Sequence, residues 1–549
     1  MPQSSKLSRQ TGAQSRKLFQ NAQSFYQKKN YVKAIELMEG AKALGMDSTD
    51  LLLLLSDSYL RLGQINKGTD MLMQAAARDE NNPEILSTAG NTCLRLGLND
   101  LAVKFLARNL QLSSGDPKAY YHYANALKND GQIDEAISLL QEIIPIFPDQ
   151  EYLWDSLGNV VSLRDGPDKA LVFFEEALKL NPENGTVYNN ITLSYESVGN
   201  YEQAVKHARK AVEFLPDSPD AHLNLATTLL ISGQLEEGWK EYEWRKSLLN
   251  PNSRKMPSHI PSWTGEDLKD KTLLIGAEQG VGDEIFLSGL YAELISQAKK
   301  LYIGCDERLV PLYESCFPDA EVIPYEEKKD RKTEKLARIY PALKNIDIDY
   351  FCLNFDLFKI FWPTPDDLKK YTASPLNIPA ELKSVWQERL GKLPHKKNIG
   401  ISWRSGKLSV LRSLQYAPLT EWAELIKSNP EANFINLQYG ECGEELAELE
   451  KMSGQKIYSF EELDLKNDFL NSAALMSCLD LAIGPATTCN ALAVNTGVET
   501  WWLNSGDTWW TFGTDNPPWL NNGRVFKKNL NEKWPGFMGK VSEHLEKHI

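Results

Sequence analysis

The sequence predicts a helical repeat solenoid followed by an α/β region built of two Rossmann-like, parallel-sheet halves. Three observations carry that prediction. Small residues recur every 34 positions through the first half of the chain, at Ala34, Gly68, Ala102, Ala136, Ala170, Ala204 and Gly238. From Lys271 onward short apolar runs alternate with helical patterns, the signature of a doubly wound parallel sheet. Near Pro394 the same order of strand, glycine loop and helix begins again. The expected divisions of the 549 residues are a solenoid over 1–250, a first α/β half over 251–393 and a second over 394–549.

The solenoid comes first in the chain. A second series of small residues runs five positions upstream of the first, at Gly63, Gly97, Gly131, Gly199 and Gly233, with Asp165-Gly166 filling the gap. Two registers agree on one period, and in an array of amphipathic helices a small residue at a fixed place lets neighbours cross closely while the next unit buries the face that one unit leaves open. Pro83, Pro117, Pro182 and Pro216 fall near unit ends, where helices are expected to stop. This pattern resembles the tetratricopeptide repeat from about Gln14 to Asn250. Solenoids of this kind present concave faces that hold extended or helical peptides, so a protein partner is expected; a rigid spacer is the alternative.

Proline, serine and glycine crowd Asn250–Pro257 and Pro261–Leu268, which marks a domain boundary. Leu273–Ile275 then reads as a buried strand, the glycines at 276, 280 and 282 as a turn, and Ile285–Ala298 as a helix. Strands follow at Leu301–Ile303 and Ala320–Ile323. Backbone amides at such a helix start attract anions, and Asp283 stands there either as a base or as a helix cap. Asp347 and Asp349 flank one residue, as metal-binding pairs do, but their alternation with Ile346, Ile348 and Tyr350 reads as the polar face of a strand, and no metal site is expected.

In the second half, Lys397–Gly406 runs from a strand into a loop carrying Trp403, Arg404, Ser405 and Gly406. Arg404 suits a bidentate phosphate pair, with Ser405 adding a hydroxyl and Arg412 lying just beyond; stacking on Trp403 is the alternative for Arg404. Phe434–Gln438 is a further strand, and a helix over Asp468–Met476 leads to Leu479–Ile483. That strand opens into Gly484, Pro485, Ala486, Thr487, Thr488, Cys489 and Asn490, where a threonine can cap the next helix and its free amides can face an anion. Trp501, Trp502, Trp509, Trp510, Trp519 and Trp534 crowd the end of the chain, and Trp509 with Trp510 is the pair expected in a loop, where ring faces suit a sugar or base.

Composition sets outer bounds. A formal charge of -14 without a basic stripe argues against nucleic acid as a partner. No segment approaches the run of about 20 apolar residues that spans a bilayer, and Met1–Lys17 lacks an apolar signal core, so the cytoplasm is the expected compartment. The seven cysteines form neither a CxxC pair nor a zinc-spaced cluster.

The segments Pro261–Leu268, Glu278–Ile285, Ile401–Gly406, Tyr416–Leu419, Asn436–Gly440 and Trp510–Asp515 together resemble bacterial tetratricopeptide proteins with a GT-B, heptosyltransferase-like glycosyltransferase domain. The wording around Trp403, Tyr416 and Gln438 looks most like the branch that modifies flagellin with nonulosonic acids. The resemblance implies a metal-independent protein O-glycosyltransferase that takes its sugar from a nucleotide-sugar donor and delivers it to a flagellin held by the repeats. It implies Asp283 as catalytic base; beside it, an acceptor-side loop of Glu278, Gln279, Gly280 and Gly282 and a donor site of Trp403, Arg404, Ser405, Gly406, Arg412, Gln438, Pro485, Thr487, Thr488 and Asn490 are the expected site residues. Heptosyltransferases carry Asp-Thr and a later His where this chain reads Ala486-Thr487-Thr488-Cys489-Asn490; the departure implies a different donor, such as a CMP-linked sugar. A non-catalytic adaptor and a transferase acting on lipid or polysaccharide are the competing expectations.

Overall fold

A computed structural model describes residues 2–248, 260–329, 336–406, 415–529 and 532–548. Contacts within the chain define two compact units, Met1–Val187 with Lys329–Leu336, and Tyr188–Lys328 with Ala337–Ile549. The described part of the first unit's repeat region is helical, in antiparallel pairs such as Ile65–Arg78 with Thr49–Arg61 and Asn99–Leu112 with Pro83–Arg95. The residues of the first small series sit inside these pairs: Ala34, Ala102, Ala136 and Ala170 have no exposed surface. A methyl added at Gly68 would stand 2.5 Å from Leu60.

The second glycine series has a different cause. Gly63, Gly97 and Gly131 adopt φ of 67°, 73° and 86°, the left-handed region that ends a helix without a Cβ penalty. Two of the prolines depart from expectation. Pro83 and Pro117 open helices at their first position, capped by Asn82 and Asp116, because the missing N–H there would have had no intrahelical partner.

The second unit begins within the helix Gly185–Ser197, runs through the last helices of the array to Leu235–Tyr242, and continues into the α/β region. Strands β1 (Thr272–Gly276), β2 (Lys300–Cys305), β3 (Glu321–Pro324) and β6 (Tyr350–Leu353) form one parallel sheet in the order β3-β2-β1-β6; β4 (Glu326–Lys329) and β5 (Leu336–Ile339) pair separately. A second parallel sheet has the order β12-β11-β10-β7-β8-β9, with β7 (Lys397–Ile401), β8 (Ala432–Asn436), β9 (Ile457–Tyr458), β10 (Leu481–Gly484), β11 (Glu499–Ser505) and β12 (Gly523–Lys528). The chain passes from β7 outward through β8 and β9, then returns to place β10 on the other side of β7. Such a reversal opens a crevice beyond the carboxyl ends of the two central strands. The fold class expected from sequence, a helical repeat array followed by parallel α/β sheets, is the one observed.

The segment after the glycine turn differs from the single helix expected. It is a short helix, Val281–Phe286, a 3-10 turn, Ser288–Leu290, and a helix, Tyr291–Gln297. The interruption falls at Gly289, whose amide donates to Asn495 Oδ1 at 3.1 Å and whose carbonyl accepts from Ser374 at 2.9 Å. A Cβ there would lie 2.8 Å from Ala373, so close approach of the 373–376 segment displaces the helix. Asp347 and Asp349 lie just ahead of β6, not within it, and Asp349 ties the start of β1 by accepting from the Thr272 amide at 2.8 Å and hydroxyl at 2.9 Å.

Candidate functional site

The two sheets meet at their glycine loops. The helix Val281–Phe286 leaves β1 and the helix Thr488–Asn495 leaves β10, and their first turns touch: a Cβ on Gly282 would lie 2.9 Å from Thr488 Oγ1 and 3.2 Å from its Cα. Only a residue without a side chain permits that approach. The first amides of each helix have no carbonyl within their own helix to bond, so donor groups from both halves converge on one place. Around it lies a cleft with two lobes, of about 450 and about 510 Å³, which share Gly280, Val281, Tyr439 and Thr488.

The first lobe holds Asp283, Gln279, Gly282, Ser405 and Thr487. One oxygen of Asp283 accepts from the Gly280 amide at 3.0 Å. The base and cap readings of Asp283 are therefore compatible, because its second oxygen makes no hydrogen bond among the described residues. Burial raises its pKa, opposed by the Gly280 amide and the Arg338 charge, which leaves it a better proton acceptor than an exposed aspartate. Thr487 occupies the N-cap position but makes no capping bond, and its buried hydroxyl oxygen has no partner. An aromatic wall closes the lobe: Phe286 lies 5.5 Å from Trp510, and Trp510 lies 5.4 Å from Trp502. Trp509 and Trp510 sit in one 3-10 turn and face this lobe, while Trp501 and Trp519 are core residues.

The second lobe is polar. Arg308 grips Asp306 at 2.8 and 3.0 Å, Arg338 reaches Glu327 at 3.3 Å and the Gln279 carbonyl at 2.5 Å, and Lys466 lines the same space. Behind it Glu284 is 2% exposed, accepting from the Asp306 amide and the Tyr325 hydroxyl, both at 2.9 Å. Burial pushes its pKa up to about 7. Asp306 and Arg308 follow directly on β2, so the rule that ligands gather at strand ends would have found them. Arg338, on β5, and Tyr242, on the last repeat helix, carry no such signal.

The other residues expected at a donor site have structural partners. Trp403 is 2% exposed within the second sheet's core and donates its indole N–H to Glu445 at 3.2 Å. Arg404 forms a two-point pair with Glu445, both contacts 2.6 Å, and donates to the Glu441 carbonyl at 3.0 Å. Neither lines the cleft lobes. Gln438 accepts from the Trp403 and Arg404 amides, both at 3.0 Å, and so fixes the loop that carries Ser405 and Gly406 to the cleft. Gly406 donates to the Tyr439 hydroxyl at 3.1 Å, and a Cβ there would lie 2.6 Å from that ring. Asn490 is buried and donates to the carbonyls of Gly484 and Trp501 at 3.0 and 3.2 Å, tying β10 to β11 behind a buried Pro485. Glu278 turns away from the cleft to pair with Arg245 at 2.8 Å, its side chain fully covered. Arg412 lies outside the described residues. Among the described residues no three His, Cys, Asp or Glu side chains are grouped to hold a metal, and no helix is long and apolar enough to cross a membrane.

Models of the tetratricopeptide repeat match residues 94–159 and 185–217. The chain is 29% identical to Protein FlbA of Caulobacter vibrioides over 534 residues, covering 94% of this chain and 88% of that protein. It is 22% identical to Protein O-mannosyl-transferase TMTC1 of Homo sapiens over 171 residues, 30% of this chain but 19% of that protein. A crystal structure of a thermophilic TPR protein from Thermus thermophilus aligns over 33% of this chain and 100% of its own, with 22% identity and a TM-score of 0.29. The chain thus carries tetratricopeptide repeats in its N-terminal region and is similar along nearly its whole length to FlbA.

Proposed function

We propose that the protein is a protein O-glycosyltransferase of GT-B type, which moves a sugar from a nucleotide-sugar donor to a serine or threonine of a partner captured by the repeats. The observation that carries this reading is the convergence at Gly282 and Thr488. An ionisable carboxylate and two helix starts face one cavity of sugar size between two parallel sheets, with the unpartnered Thr487 hydroxyl covered beside it. In the proposed reaction the acceptor hydroxyl oxygen attacks the anomeric carbon and gives its proton to Asp283, while the anomeric carbon–oxygen bond to the nucleotide breaks. The negative charge left on the departing phosphate is met by the amides at Thr488 and by the Thr487 hydroxyl. No step requires a metal.

The finer reading takes flagellin as the acceptor, a nonulosonic acid as the sugar, CMP as its carrier and the cytoplasm as the site of transfer. It is supported by the motif resemblance and by the missing Asp and His at 486–490; similarity to a protein named as an O-mannosyl-transferase supports sugar transfer in general. Melting of the full-length protein with CMP, UDP, GDP and ADP tests the donor, because a ligand bound by the folded state alone raises the melting temperature. CMP is expected to give the largest rise. No rise with any of the four would overturn the enzyme reading in favour of an adaptor that only binds.

A further inference from the structure

The last repeat does more than end the array. Its helix Leu235–Tyr242 sends both aromatic side chains into the α/β region. Trp239 donates its indole N–H to the Trp362 carbonyl at 2.8 Å and stacks on Phe358 with centroids 6.3 Å apart. Tyr242 lies 5.0 Å from the Trp509 ring and lines the first lobe beside Asp283 and Trp510. Immediately beyond, Arg245 binds both oxygens of Glu278, at 2.8 and 3.1 Å, and Asp356 at 2.6 Å. Glu278 stands two residues before Gly280, so this guanidinium grips the stem of the glycine turn. The same guanidinium lies 4.6 Å from the centre of the Tyr242 ring and holds it in place.

Tyr242 is 5% exposed, and among the described residues its hydroxyl makes no hydrogen bond. The hydroxyl is not one of the fully covered polar atoms, and its residue lines the first lobe, so it is open to a ligand there; a tyrosine serving only as packing would be replaceable by phenylalanine at no cost. We propose that Tyr242 is a catalytic residue of the cleft, its hydroxyl donating a hydrogen bond to an oxygen of the sugar held against Asp283, so that the last repeat forms part of the active site. Burial above all, with the carboxylates of Glu278, Asp283 and Asp356 and against the pull of Arg245, raises the phenol's pKa and keeps it a donor. The inference rests on the glycosyltransferase reading with flagellin as its acceptor, and names a contact that reading does not require.

The test uses full-length protein in the parent bacterium, with the chromosomal copy replaced by Tyr242→Phe or Asp283→Asn or deleted. The rate at which newly made flagellin gains the mass of its sugar is followed, and the purified variants are melted with and without CMP. Tyr242→Phe is expected to slow modification about tenfold while its melting temperature and CMP-induced rise stay at wild-type values, the mark of a contact made to the reacting group. Modification at the wild-type rate by Tyr242→Phe, with Asp283→Asn inactive, would overturn the inference and leave the glycosyltransferase reading standing. A fall in melting temperature that accounts for the slowing would assign Tyr242 to packing and also overturn it. Flagellin of unchanged mass in the deletion strain would overturn the flagellin reading and this inference with it.

Discussion

As the proposed base, Asp283 would serve the fold and the chemistry with one carboxylate. The oxygen that accepts from Gly280 fixes the turn, and the other faces the cleft. Asparagine at 283 keeps an oxygen for the Gly280 amide but cannot take a proton. Asp283→Asn should therefore leave the melting temperature within a degree or two while transfer falls by roughly 10²–10⁴-fold, the usual weight of a general base; full transfer by this variant would remove Asp283 from the mechanism. Glu284, next in sequence, allows a pH prediction. Its ordinary value of 4.5 rises to about 7 on burial, so between those values the folded chain holds a proton that the unfolded chain has released. Its contribution to stability is complete below the unfolded value and is lost as pH climbs through the folded one, by up to about 3 kcal/mol. Glu284→Gln keeps an acceptor for the Asp306 amide and should be more stable than wild type at pH 8 but not at pH 5, as read by urea unfolding. Equal pH dependence in the two proteins would contradict a buried protonated Glu284.

The elements that make the site are held by contacts whose loss has a definite sign. Gly282 permits the two helix starts to touch, and alanine there would press on the Thr488 backbone, which cannot rotate away. Gly282→Ala is expected to cost about 1–3 kcal/mol and to abolish the CMP-induced rise in melting temperature, because the two halves can no longer close to the same separation. Arg245 joins the repeat helices to the glycine turn through Glu278 and Asp356, both of them covered. Arg245→Met takes the cation from the fully covered Glu278, while Lys246, 3.0 Å from Asp356, stays to pair with that carboxylate alone. Chemical denaturation should show a loss of about 3–5 kcal/mol; a loss below about 1 kcal/mol would mean the pair is solvated and the clamp unimportant.

At the scale of the molecule, what could be read from sequence was whatever repeats or alternates. The 34-residue period gave the array and the strand-loop-helix order gave the sheets, because both are local patterns that burial imposes on neighbouring residues. The glycine turn and the Thr487 loop were legible for the same reason. Arg404 was not: a loop arginine looks the same whether it awaits a phosphate or is spent on Glu445, which lies 41 positions away. Tyr242 was hidden by its own repeat, where a large aromatic at a helix end reads as core. The same packing dictates where the chain can be cut. The helices Pro219–Ile231 and Leu235–Tyr242 share one hydrophobic core with the α/β region through Ala226, Leu230, Leu235, Trp239 and Tyr242, which meet Phe358, Trp362 and Phe512. A chain beginning at Asn181 keeps all of these residues, whereas one beginning at Lys271 exposes the apolar surface that Trp239 and Tyr242 cover, and an aromatic side chain lost from a core costs about 3–5 kcal/mol. The longer fragment is therefore expected to unfold cooperatively and to retain the CMP-induced rise in melting temperature, and the shorter one to aggregate or melt without a transition. Because the longer fragment lacks most of the repeats, it should not pull down flagellin, the acceptor proposed for them. If the shorter fragment instead melts cooperatively and binds CMP, the last repeats are a removable attachment and Tyr242 has no place in the cleft.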